Sequence, residues 1–149
     1  MGNEYRIAKN VVLTRNSKEQ FSKIKILNWV NETLESNLSR IKDLCTGAAY
    51  CNLMDILFPN LIQMRNVKFM GNQKIDYIKN FKLLQQGFNK LQVNVSFDIQ
   101  ELIKGNYREN YQFANWFKVF YDRNFESICK NYCAKKARGY QEIGMAISN

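Results

Sequence analysis

The side chains able to do chemistry are few in this chain, and their spacing supports little of it. No histidine occurs among its 149 residues, so neither a Ser-His nor a Cys-His nucleophile pair can form. The four cysteines are Cys45, Cys51, Cys129 and Cys133. Cys129 and Cys133 are four apart and would share a helix face. A metal centre needs more ligands than these, and the commonest one is absent. No metal and no cofactor is expected. Without an apolar leader at the N-terminus, the cysteines read as reduced thiols rather than a disulfide framework. Gly47 lies in an apolar run with no lysine after it, so it founds no phosphate loop. The carboxylates show no converging pair. An enzyme is the least supported class.

Charge is the more informative property. Lys and Arg number 22 against 13 Asp and Glu, a net charge of +9. The excess is spread evenly, with 10 cations against 6 anions in residues 1–70 and 12 against 7 in residues 71–149. Such a balance favours an acidic partner: nucleic acid, an anionic membrane or an acidic protein surface. No window is long and apolar enough to span a bilayer. Gly2 lacks the Ser or Thr at position 6 that myristoylation wants, since Arg6 stands there. An intracellular protein without membrane attachment is expected.

Helices must position whatever these cations do, because a single proline leaves little to interrupt them. At this length one domain can bury a real core without staples. The sixteen residues 44–59 carry only one charge, Asp55, so this segment must be wrapped by other elements rather than lie on a surface. A first helix is expected to begin at Ser17, whose spacing to Gln20 makes a capping box. Its apolar positions Phe21, Ile24, Leu27, Val30 and Leu34 step by three or four, with Trp29 off the stripe as an anchor for a second contact. Further helices are expected at about 72–91, at 99–104 with Asp98 and Glu101 as a capping box and Gly105 as its stop, and at about 108–124. Residues 93–97 are the only strand-like run. Trp29, Trp116 and Phe117 read as core residues.

The run Gly47-Ala48-Ala49-Tyr50-Cys51 closely resembles the central helix of the calponin-homology domain in the end-binding family of microtubule plus-end proteins. Leu27-Asn28-Trp29-Val30-Asn31-Glu32-Thr33-Leu34 resembles the family's first helix. Val67-Lys68-Phe69 and the stretch from Tyr77 to Gln85 resemble its long helix. Leu102-Ile103-Lys104-Gly105 and Asn115-Trp116-Phe117-Lys118 resemble its closing segments. The blocks keep their order across roughly residues 17–125. The resemblance implies a compact all-α calponin-homology fold with a central buried helix, over residues 17–126. A basic arm, residues 1–16, is read as mobile, and residues 127–149 as a basic linker or helical extension.

The implied function is binding without chemistry. Family domains dock between protofilaments of growing microtubules and sense the nucleotide state of tubulin, so the implied partners are microtubules, built of α- and β-tubulin, and the implied place is the cytoplasmic cytoskeleton, at plus ends and on the mitotic spindle in cell division. Carried over by position, the tubulin-binding residues are Lys23, Arg65, Asn66, Lys68, Asn72, Lys104, Asn106 and Arg108. Departures are visible. Arg65 and Asn66 stand where the family has adjacent lysines, and Asn106-Tyr107-Arg108 where it has Lys-Phe-Gln, so a charge has moved by two residues. Asn94 and Val95 replace an Asp-Lys pair. Relatives continue into a coiled coil that makes a homodimer; no sustained heptads occur here, so a fragment of this kind is expected to be monomeric. The alternatives are an actin-binding calponin-homology module and a basic nucleic-acid-binding helical domain. For the latter no recognition motif is present, and the aromatics fall on core spacing.

Overall fold

The ten residues of one helix, Ala48–Leu57, are all buried, which obliges the other elements to surround it. The computed structural model describes residues 5–13 and 19–144. Among these the α-helices are α1 (Lys23–Leu34), α2 (Ala48–Leu57), α3 (Lys74–Lys90), α4 (Ile99–Ile103), α5 (Tyr107–Asn124) and α6 (Ala134–Ala137). Three 3-10 helices join them, at Ile41–Thr46, Met64–Asn66 and Ser127–Asn131. No strand occurs among the described residues, and residues 93–97 run without a partner strand. The all-α fold with a central buried helix is the one expected. Helix α2 touches α1, α3, α5 and α6.

The apolar run 44–59 is two elements rather than one. Gly47 adopts φ +78°, ends the 3-10 helix and starts α2. That backbone is strained for any L side chain, and a β-carbon there would lie 3.0 Å from the Phe81 ring. The close approach lets Tyr50 reach Phe113 at 4.8 Å and Phe117 at 5.0 Å between ring centres. Phe88 in turn meets Trp116 and Phe120 edge-on. Such aromatic pairs add about 0.5–1.5 kcal/mol each beyond the area they bury.

Helix α1 begins later than expected. Ser22, not Ser17, caps it, accepting from the Lys25 amide at 3.1 Å; Ser17 lies outside the described residues. Before the cap, the Phe21 amide donates to the Asn115 side chain and the Phe21 carbonyl accepts from the Tyr111 hydroxyl. Both bonds hold the chain against α5 and out of helical geometry. The buried stripe is accordingly Ile26, Val30 and Leu34, while Ile24 is 64% exposed. Trp29 does make a second contact, packing edge-on against Tyr121. Trp116 and Phe117 are buried, as expected.

The two terminal segments differ most from expectation. Residues 5–13, read as part of a mobile arm, are docked. Ala8 and Val11 are buried, the Trp116 indole donates to the Val11 carbonyl at 2.9 Å, and Asn124 bonds both the amide and the carbonyl of Lys9. Arg6 donates to the Leu57 carbonyl at 2.6 Å and lies over the Phe58 ring. Residues 127–144 form neither a linker nor a continuous helix but a strap of short turns, and the rest of the expected extension, residues 145–149, lies outside the described residues. Arg138, only 1% exposed, donates to the Leu34 and Glu35 carbonyls, the Asn52 side chain and the Gln141 carbonyl. Neither α1 nor α2 has a basic residue in its own last turn. Arg138 and Arg6 therefore supply, from remote sequence, the cation that a helix C-terminus favours and donors for its orphan carbonyls. The Asp55 carboxylate of α2 accepts from the Tyr132 hydroxyl of the strap and from the Asn60 amide. Burial raises the Asp55 pKa, and these two hydrogen bonds oppose the rise.

Two buried asparagines then fix the loops that follow. Asn80, fully buried, accepts from the Lys68 amide at 2.8 Å and donates to the carbonyls of Thr46 and Lys68. Asn110, also fully buried, donates to the Leu102 and Asn106 carbonyls at 3.0 and 2.9 Å. Arg138→Met is expected to lower stability by about 3 kcal/mol, since it leaves buried carbonyls unpaired. Urea unfolding checks this, and an unchanged midpoint would refute the strap's role. Asn80→Ala is expected to lower stability by about 2 kcal/mol. In the same variant the Lys68 amide should exchange hydrogen faster while amides of central α5 keep their protection. Equal protection at Lys68 would show that Asn80 does not hold the loop.

Candidate interaction surface

All eight sequence-derived positions, Lys23, Arg65, Asn66, Lys68, Asn72, Lys104, Asn106 and Arg108, are exposed. They fall into two groups and one outlier. The first group lies on residues 65–72. Arg65 and Asn66 belong to the 3-10 helix Met64–Asn66. Lys68 follows, with its backbone clamped by Asn80 and its side chain free to reach solvent. Buried Val67 and Phe69 flank it and anchor the loop to the core. The Gly144 amide donates to the Phe69 carbonyl at 2.7 Å, so the C-terminal strap braces this loop from behind. Asn72 precedes α3.

The second group surrounds the α4–α5 turn. Gly105, at φ +80°, reverses the chain between the two helices. Lys104 pairs with Glu101 at 3.0 Å, so part of its charge is answered within the turn. Asn106 is the N-cap of α5, accepting from the Glu109 amide at 3.2 Å. Its side chain is thereby occupied. Arg108 stands in the first turn of α5 and joins no ion pair among the described residues. A cation there opposes the positive end of the helix dipole, which disfavours it by about 0.3–1 kcal/mol. Beside it, a cleft of about 760 Å³ is lined by Phe97, Tyr107, Tyr111, Phe113 and Trp116.

The 3-10 helix Ile41–Thr46 separates the groups and ties them together. Its C-terminal carbonyl at Thr46 meets Asn80, the clamp of Lys68. Near its N-terminus the Lys42 side chain lies against Gly105. Lys23 is the outlier. It occupies the first turn of α1, where the adjoining Phe21 is held to Tyr111 and Asn115 of α5, and no hydrogen bond among the described residues links it to either group.

Sequence reasoning missed Asn80, Asn110 and Lys42. Asn80 is the one polar residue among the buried positions of α3, and Asn110 is one of several polar residues buried on α5, with Asn115, Lys118 and Asn124. A polar residue at a core position is itself the signal, because a buried amide must find backbone partners. The basic tail offers less than its composition suggested: Arg138 is buried, and Lys135 is half-buried. No group of three or more metal-ligating side chains occurs among the described residues, and no helix among them is long and apolar enough to cross a membrane.

Comparison with known proteins accords with this architecture. The model of the calponin homology (CH) domain matches residues 21–124. A solved structure described as "Structural Basis of Microtubule Plus End Tracking by XMAP215, CLIP-170 and EB1" is similar to this chain at 30% identity, with a TM-score of 0.75. The match covers 80% of this chain and 100% of that one. The matched region takes in every helix from α1 to α5, both asparagine clamps and both cation groups. The chain belongs to the calponin homology domain family, as a domain of the end-binding type.

Proposed function

We propose that this domain binds microtubules through residues 65–72 and the α4–α5 turn, docking between protofilaments and responding to the nucleotide state of tubulin. The observation that carries this reading is the set of exposed cations, Arg65, Lys68 and Arg108, that stand without carboxylate partners among the described residues, next to backbone clamped by Asn80 and Asn110. Cations held on a rigid frame lose little conformational freedom when they meet an acidic surface. The similarity to a structure concerned with microtubule plus-end tracking supports the choice of partner. Arg108 adds to it, because its place at the N-terminus of α5 works against the helix and is better accounted for by a partner than by stability. The domain would act by binding alone, in the cytoplasm on the microtubule cytoskeleton. Lys104, Asn66, Asn72 and Asn106 would serve as neutral or partly neutralised neighbours of the free cations, and Lys23 as a contact outside both groups.

Arg65→Glu and Arg108→Glu are each expected to weaken microtubule cosedimentation by about tenfold at low salt. The circular dichroism spectrum should hold. For Arg108→Glu the thermal midpoint should not fall, since an acid in the first turn suits the helix dipole. Binding of the unaltered domain should weaken as the Debye length falls from about 10 Å at 0.1 M salt to about 3 Å at 1 M. Unchanged binding in both variants would remove this surface from the mechanism. Preferential cosedimentation with filamentous actin, or tight retention of duplex DNA at physiological salt, would replace the microtubule by that partner.

A further inference from the structure

Lys42 occupies the position between the two cation groups. It lies in the first turn of the 3-10 helix Ile41–Thr46, is exposed, and joins no ion pair among the described residues. Its neighbour Arg40 differs, being paired with Asp43 at 3.4 Å. The Lys42 stem is laid across the α4–α5 turn: a β-carbon built on Gly105 would be 2.7 Å from its Cε and 3.0 Å from its Cγ. Only the missing side chain of Gly105 leaves room for it. At about 2.0 Å rise per residue in a 3-10 helix, Lys42 is about 8 Å along the axis from Thr46, whose carbonyl shares the Asn80 amide with the Lys68 loop.

From this geometry we infer that Lys42 is a specificity-determining contact for the acidic partner, joining the Lys68 loop and the Arg108 turn into one continuous basic strip. The inference rests on the microtubule reading above and adds to it a residue and a role. A lysine stem packed on a backbone surface holds its ammonium in a narrower range than a free one. Less ordering is then required on binding. The 3-10 helix that carries Lys42 also supplies the Thr46 carbonyl that braces the Lys68 clamp, so the ammonium over Gly105 and the Lys68 loop are held on one short element.

The test is microtubule cosedimentation at about 0.1 M salt with four variants. Lys42→Glu is expected to lower affinity by about tenfold and Lys42→Met, which keeps the packed stem, by about threefold. Lys42→Arg should stay within about twofold of the unaltered domain. The control is Lys90→Glu, which changes net charge equally at the last residue of α3, about 24 Å along the helix from Lys74; it should shift affinity by less than about twofold, since that span exceeds the Debye length. Thermal midpoints of the three Lys42 variants should match the unaltered domain, because Lys42 is exposed, whereas Lys90→Glu should lower the midpoint slightly by placing an acid at the C-terminus of α3. If Lys42→Glu binds like Lys90→Glu while the unaltered domain sediments, the inference fails and the microtubule reading stands. If the unaltered domain does not sediment with microtubules, both fall.

Discussion

A helix with no face to water is the constraint from which the rest of this domain follows. Helix α2 buries all ten of its residues, so its neighbours must enclose it on every side, and at 149 residues there is little chain to spare for the task. α1, α3 and α5 supply most of the enclosure, and α6 closes what they leave. Gly47 makes the entry possible, because the chain must turn under the Phe81 ring at a distance that admits no side chain. The aromatic residues of α3 and α5 then fill the space around Tyr50.

Enclosing an apolar helix creates a second problem, which polar side chains solve. Loops and helix ends pressed against the core carry amides and carbonyls that water cannot reach, and each must find a partner. Asparagine does this repeatedly: Asn31, Asn80 and Asn124 each donate and accept, and Asn110 donates twice. Asn31 holds the turn after α1 by bonding both backbone groups of Leu38, Asn80 the Lys68 loop, Asn110 the α4–α5 turn and Asn124 the N-terminal segment. Arg6 and Arg138 do the corresponding work at the ends of α2 and α1. The interaction surface is a consequence. Its cations stand on segments whose backbones are already bonded, so the pattern of charge they present is fixed rather than flexible.

Much of this was legible in the residues. The helices α3, α4 and α5 lie within two residues of their expected bounds because periodicity, capping residues and Gly105 all agree there. The start of α1 was not. Ser17 and Ser22 both suit a cap, and the choice between them was made by bonds from Phe21 to Asn115 and Tyr111 on α5, about ninety residues away. The terminal segments misled for a related reason. Lys and Arg in an aperiodic stretch suggest a solvated arm, yet Arg6 and Arg138 are used as interior donors. For the surface, the exposure of all eight expected positions was readable, but the capping duty of Asn106 and the partnering of Lys104 by Glu101 were not.

What the sequence determined by itself was the family and the need for a wrapped helix, since both are properties of residue types at short spacing. Apolar continuity over residues 44–59 is local, and so is the Gly-Ala-Ala-Tyr-Cys spelling. What only the tertiary structure decided was which charges are free. Whether a lysine or arginine meets a carboxylate, a buried carbonyl or solvent depends on groups as far as about a hundred residues distant. Arg138 is spent on the carbonyls that end α1, while Lys42, unremarkable in the sequence, lies across Gly105 and joins no ion pair among the described residues. Charge in a sequence counts cations; packing settles where their charge is spent.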